Sequence, residues 1–101
     1  EFKSSLRWDY KIGNKNKVLE YIIARNISAF MNTNGGMLII GIDDEKNVLG
    51  LEKDFLTLQK KNIDGFELHL IEIINYYIGK KYHRYINTKF EIVDEICGKI
   101  S

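Results

Sequence analysis

The sequence predicts an α+β domain: one sheet with two helices packed on it. Three observations carry that expectation. Two stretches, one running to about Asn32 and one starting at Asp64, place apolar residues at helical spacing. Between them lies Met37-Leu38-Ile39-Ile40-Gly41-Ile42, a short apolar, β-branched run bounded by glycines and acids, as a buried strand would be. Residues 85–93 then alternate between apolar and polar, the period of a half-buried strand.

The elements follow in order. Phe2 to Ser5 reads as a first strand. Residues 9–14, with Gly13 and Asn14, read as a loop and a helix start. The first helix presents Leu19, Ile23, Ile27 and Phe30 on one face, widened by Val18 and Ile22. It ends at Asn34-Gly35-Gly36, because glycine can adopt the left-handed conformation that closes a helix. After the Met37–Ile42 strand, Asp43 to Asn47 form a polar turn and Val48 to Leu51 a short antiparallel strand. Residues 52–63 have room for one short helical turn. The second helix starts at Asp64, with Glu67 at the spacing of a capping box. Phe66, Leu70, Ile73, Ile74, Tyr77 and Ile78 form its apolar stripe, and Gly79 stops it. A strand over 85–93, a turn at 93–95 and a strand from Ile96 complete the order.

With 101 residues and 45% apolar content, the chain suits a single domain with one core. It begins at Glu1 without an initiator methionine, and so reads as a piece of a longer protein. The single cysteine, Cys97, excludes an internal disulfide and a multi-cysteine zinc site, and reads as a small buried hydrophobe. No apolar run approaches the roughly 20 residues a membrane span needs, and no signal peptide is visible. The expected location is the cytoplasm, with no membrane partner.

Net charge is only +1, but it is unevenly distributed. Residues 1–34 hold six basic and three acidic side chains; residues 43–54 hold five acidic and two basic. Residues 78–90 hold Lys80, Lys81, Arg84 and Lys89 with no acid. Two basic zones therefore flank an acidic one. In Lys80-Lys81-Tyr82-His83-Arg84-Tyr85, cations interleave with aromatics, as phosphate contact and base stacking require, although tyrosines in such a position also serve ordinary packing. Trp8 beside Arg7 suits either base stacking or the capping of a small core.

Other polar groups have local explanations. Asn32-Thr33-Asn34-Gly35-Gly36 could cradle an anion on backbone N–H groups, but helix closure is favoured. Asp43 and Asp44 could join Glu1 as metal ligands, but acids in a turn are common. His69, at the edge of the second helix's stripe, reads as a boundary residue. No phosphate-binding glycine loop of the nucleotide-hydrolysing type occurs.

Taken together, EFKSSLRWD (1–9), SAFMNTNGGMLIIGIDD (28–44), VLGLEKD (48–54) and DGFELHL (64–70) resemble the Schlafen AlbA-like domain in its bacterial DNA-binding, transcriptional-regulator form. Met31 stands where that family usually has alanine. The resemblance implies an Alba-like α+β sandwich that binds DNA or RNA, with a homodimer possible because Alba-like domains pair. It implies phosphate contacts from Lys3, Arg7, Lys11, Lys80, Lys81 and Arg84, with Trp8 or Tyr82 stacking on bases. As an alternative it implies a metal-dependent endoribonuclease: Glu1 and Asp44 would be two of three carboxylates holding Mg²⁺ or Mn²⁺, and Lys3 would lie beside them at the scissile phosphate. Otherwise no cofactor is expected. A third reading is a protein-interaction module. The nucleic-acid readings require the cations of both zones to gather on a shared surface, beside the edge where Glu1 and Asp44 meet.

Overall fold

The computed structural model describes residues 1–90, 93–94 and 99–100. The order is β1 (Phe2–Lys3), β2 (Trp8–Asp9), β3 (Asn14–Lys15), α1 (Lys17–Met31), β4 (Ile39–Ile40), α2 (Glu52–Leu56), α3 (Ile63–Tyr77), a 3-10 turn over Lys80–Tyr85, β5 (Val93–Asp94) and β6 (Lys99–Ile100). The class is α+β. Among the described residues the strands form three two-stranded pairings: β1 with β4 in parallel, β2 with β3 and β5 with β6 antiparallel. Cys97 and most of the strand expected from Ile96 lie outside the described residues.

The core is built from one face of each long helix. Ile23 and Ala24 of α1 and Phe66, Leu70, Ile73 and Ile74 of α3 are buried with Leu6 and Leu58. Ile27, Leu38, Ile40, Leu51 and Phe55 pack against this cluster from its margin. The α3 stripe is buried from Phe66 to Ile74 as its spacing predicts, while Tyr77, expected in it, is exposed. The α1 stripe is rotated: Val18, expected to widen it, is exposed, and on its other edge Glu20 and Ala24 are buried.

Helix boundaries differ from expectation where a side chain competes for the same N–H group. α1 starts behind Asn16, whose Oδ1 accepts from the Val18 N–H at 3.0 Å. α3 is capped by Asn62, not by an Asp64–Glu67 box, with Asn62 Oδ1 accepting from the Gly65 N–H at 2.9 Å. Gly65 is buried so tightly in this first turn that a Cβ there would lie 1.8 Å from the Lys60 carbonyl oxygen. The expected loop at 9–14 is a hairpin, closed by the pairing of Trp8 with Lys15 and of Asp9 with Asn14. The strand expected from residue 85 is replaced at its start by the 3-10 turn and has no strand pairing through residue 90.

Asn32-Thr33-Asn34-Gly35-Gly36 closes α1. The N–H groups of Asn32, Thr33 and Gly35 are spent on helix carbonyls, those of Thr33 and Gly35 both on Phe30. The anion-cradle alternative loses those donors. β4 then lies beside β1 in the register Phe2 with Ile39 and Lys3 with Ile40. Beyond it, Gly41 has φ +101° and its carbonyl accepts from both Leu49 and Gly50 N–H groups, a close approach in which a Cβ would meet the Gly50 carbonyl oxygen at 3.2 Å. The antiparallel return at 48–51 is reduced to one bridge, Ile42 with Val48.

Asp54 ties the N-terminal segment to the rest. Its side chain is fully buried in α2, with a relative exposure of 1%. Oδ1 accepts from Ser5 Oγ at 2.6 Å and from the N–H groups of Arg7 at 2.9 Å and Trp8 at 3.2 Å; Oδ2 accepts from the Leu6 N–H at 2.9 Å. One carboxylate thus satisfies three consecutive backbone donors and holds Leu6 in the core.

Replacing Asp54 with alanine strands those donors away from water and is expected to lower stability by on the order of 3 kcal/mol. Ser5→Ala should cost roughly 1 kcal/mol, since the Trp8 N–H keeps a bond to Asp54. Urea denaturation measures both, and equal effects would contradict the placement of the carboxylate at the centre of the corner.

Candidate nucleic-acid interface

The corner that Asp54 fixes sends Arg7 and Trp8 in different directions. Arg7 turns inward. Its Nε lies 3.8 Å from Glu20 Oε2, and its Nη1 lies 3.3 Å from His69 Nε2. The side chains of Arg7 and Glu20 are only 13% and 8% exposed. His69 Nε2 also bonds to Glu20 Oε2, while its Nδ1 faces Glu72 at 3.6 Å. This cluster joins the N-terminal segment, α1 and α3. Burial works to raise the Glu20 pKa, but the His69 hydrogen bond and the charges of His69, Arg7 and Lys17 outweigh it and hold the carboxyl below its ordinary value. Arg7, expected at a phosphate, is therefore a structural cation. The reason is the buried glutamate on α1, which needs a partner.

Trp8 is half-buried at the base of the hairpin, with the Lys53 ammonium 5.6 Å from its ring centre. Lys11 and Lys15 are exposed on the same hairpin. The hairpin also holds an acid, Asp9, whose charge lies close enough to Lys11 to interact with it. Asp9 accepts from Asn16 Nδ2 and the Lys11 N–H, and these bonds keep its pKa low.

The second basic zone is the 3-10 turn Lys80–Tyr85. Lys81 lies over the Tyr82 ring at 5.1 Å and Arg84 over the Tyr85 ring at 5.1 Å. Among the described residues no carboxylate forms an ion pair with Lys80, Lys81 or Arg84. Tyr82 and Tyr85 line an open groove of about 610 Å³, whose opposite wall is the end of α1 and its closing loop, including Phe30, Met31, Asn32 and Thr33. The expected alternation of cations with aromatics is present here, as a turn and not as a strand.

The two zones do not form the single surface expected of them. The hairpin ends immediately before α1, whereas the 3-10 turn faces its last turn. The 15 residues of α1 separate them by about 22 Å.

Glu1 precedes β1, whereas Asp44 lies in the turn beyond β4. The Ile39 N–H donates to the Glu1 carbonyl, which puts Glu1 level with Leu38, six residues before Asp44. The Glu1 carboxylate faces Lys3 Nζ at 3.9 Å. Asp43, not Asp44, is the structurally engaged acid of the turn. It accepts from the Asn47 N–H at 2.8 Å, the Glu45 N–H at 3.0 Å and Asn47 Nδ2 at 3.1 Å, which lowers its pKa. Among the described residues no group of three His, Cys, Asp or Glu side chains is placed to hold a metal ion.

A profile of the family described as Schlafen, AlbA_2 matches residues 1–95. The chain belongs to that family, a nucleic-acid-related class of domain. No solved structure matches the chain. Among the described residues no helix is long and apolar enough to cross a membrane.

Two functionally placed residues escape sequence reasoning: Glu20, which reads as an ordinary polar position in an amphipathic helix, and Lys53, which lies in the acidic stretch. The signal for Glu20 is its position: at 20 it falls one turn before Ile23 and Ala24, inside the buried arc.

The lowered pKa of Glu20 sets a pH dependence. The folded value lies below the unfolded one, so its contribution is complete above the unfolded carboxyl range, about pH 4.3. It is lost as pH falls through the folded value. Glu20→Gln should flatten that acid limb in a series of thermal melts from neutral pH downward. An acid limb identical to that of the parent protein would rule out Glu20 as its source.

Proposed function

We propose that this domain binds nucleic acid through the 3-10 turn Lys80–Tyr85 and the groove it borders. Lys80, Lys81 and Arg84 contact phosphates, and Tyr82 and Tyr85 offer ring faces to bases. The observation that carries this reading is that, among the described residues, these three cations have no carboxylate partner, while two of them sit over tyrosine rings. A cation without a carboxylate partner keeps its full charge for an external anion, and an aromatic beneath it suits a base stacked next to its phosphate. Membership of the family gives the reading its context.

The chemistry serves DNA and RNA alike and favours unpaired strands, whose bases are free to stack. Lys11 and Trp8 form a separate basic surface on the hairpin. Lys3 is held at Glu1, and Arg7 at Glu20 and His69, so neither belongs to the proposed contact set.

Binding of a fluorescent single-stranded oligomer, followed by anisotropy, tests the proposal. The logarithm of the affinity should fall linearly with the logarithm of salt concentration. Substituting Lys80, Lys81 and Arg84 together with glutamine should weaken binding and reduce the slope by about 2, at roughly 0.7 for each phosphate no longer neutralised. Lys46→Gln, in the exposed Asp43–Asn47 turn, should change neither. An unchanged slope in the triple variant would sink the assignment.

A further inference from the structure

α1 turns a second face outward, and it is unusual in composition. Lys17, Tyr21 and Arg25 recur along it at exposed positions. The only acid of the helix, Glu20, is buried against Arg7 and His69. The Tyr21 ring lies under the Arg25 guanidinium at 5.9 Å and 5.5 Å from the ring of Tyr77, at the end of α3. Tyr77 in turn meets Tyr76 at 4.7 Å and an interplanar angle of 86°. Tyr76 is 81% exposed, Tyr21 47% and Tyr77 39%.

Folding does not explain this arrangement. A tyrosine as exposed as Tyr76 contributes little to the core, and three such rings side by side form a contiguous surface of a kind that marks interaction sites. A T-shaped contact covers one face of one ring only, so the highly exposed Tyr76 still offers a face on which a flat π-system can stack. The position is also specific. Tyr77 lies beside Tyr21, and the chain continues from it directly to Lys80 and Lys81 and then to Tyr82 and Tyr85, which share the lining of the groove with Phe30 and Met31. The platform therefore adjoins Lys80 and Lys81. The nearest acid on α3, Glu72, is drawn toward His69 Nδ1 at 3.6 Å.

We propose that Tyr21, Arg25, Tyr76 and Tyr77 form a base-stacking platform that extends the Lys80–Tyr85 site along α1, so that a single strand passes from one to the other. This rests on the nucleic-acid reading above and adds a second set of contacts. The occupant is a single strand, because the surface combines exposed rings with cations and carries no free acid on α1. A duplex would offer phosphates without exposed base faces.

The test uses three probes of about 16 nucleotides: oligo-dT, oligo-rU and an abasic oligomer that keeps the sugar–phosphate chain. Tyr76→Ala should weaken binding of oligo-dT and oligo-rU by about tenfold and leave the abasic oligomer unaffected. Arg25→Gln should lower the salt slope by about 0.7 on all three. Thermal melts of both variants should match the parent, as both side chains are exposed. If Tyr76→Ala binds oligo-dT and oligo-rU as the parent does while the Lys80/Lys81/Arg84 variant is weakened, the platform is refuted and the underlying reading stands. Equal weakening on base-bearing and abasic oligomers also refutes stacking. If the parent binds no oligomer, both readings fall together. A self-associated parent that dissociates on Tyr76→Ala in sedimentation, with oligomer binding unchanged, would overturn the platform and assign the surface to a second copy of the chain.

Discussion

A single carboxylate, Asp54, accepts three consecutive backbone N–H groups and one hydroxyl from residues 5–8. Those donors belong to an irregular stretch that ends where β2 begins, and Leu6 within it is completely buried. A buried irregular segment is tolerable only when its polar groups find partners. Asp54 supplies them from α2, 46 to 49 residues away in the chain. The direction of Arg7 and Trp8 follows from this clamp. So does the position of β1, which immediately precedes the corner and pairs with β4.

The distribution of charge at the surface depends on the same arrangement. With residue 7 directed inward, Arg7 and Glu20 neutralise each other beneath the surface. Asp9 and Asp43 are occupied by turn N–H groups and asparagine amides. Those donors are neutral, so both carboxylates keep their charge; what sets Lys80, Lys81 and Arg84 apart is that, among the described residues, they form no ion pair with a carboxylate. The net charge of +1 conceals this, because electrostatic attraction for a polyanion depends on which charges remain unpaired at the surface and not on their sum. A basic 3-10 turn and an acid-free helix face can coexist with a nearly neutral chain for that reason.

Much of the architecture was legible in the residues. The α3 stripe from Phe66 to Ile74 is the buried one, and Asn34-Gly35-Gly36 closes α1 as glycine chemistry requires. Helical period and turn residues act over a few positions, so a local reading captures them. The errors arose wherever local partners compete. Asn62 took the capping role that Asp64 was expected to fill, and the expected loop between Trp8 and Lys15 closed as a hairpin. Strand lengths were overestimated for a related reason: β-propensity marks residues that fit a sheet, while pairing depends on neighbours the sequence does not reveal.

Alone, the sequence determined the α+β class, the two long helices, the family and the basic-aromatic character of residues 80–85. All of these rest on periodicity, composition or motif, which are properties of short stretches. Only the tertiary structure decided which charges face solvent. It turned Arg7 toward a buried glutamate and brought Tyr21 beside Tyr77 across 56 positions of chain. Whether a charged or aromatic side chain is available to a ligand depends on what packs against it. Those neighbours come from distant parts of the chain, so no reading of local pattern could supply them.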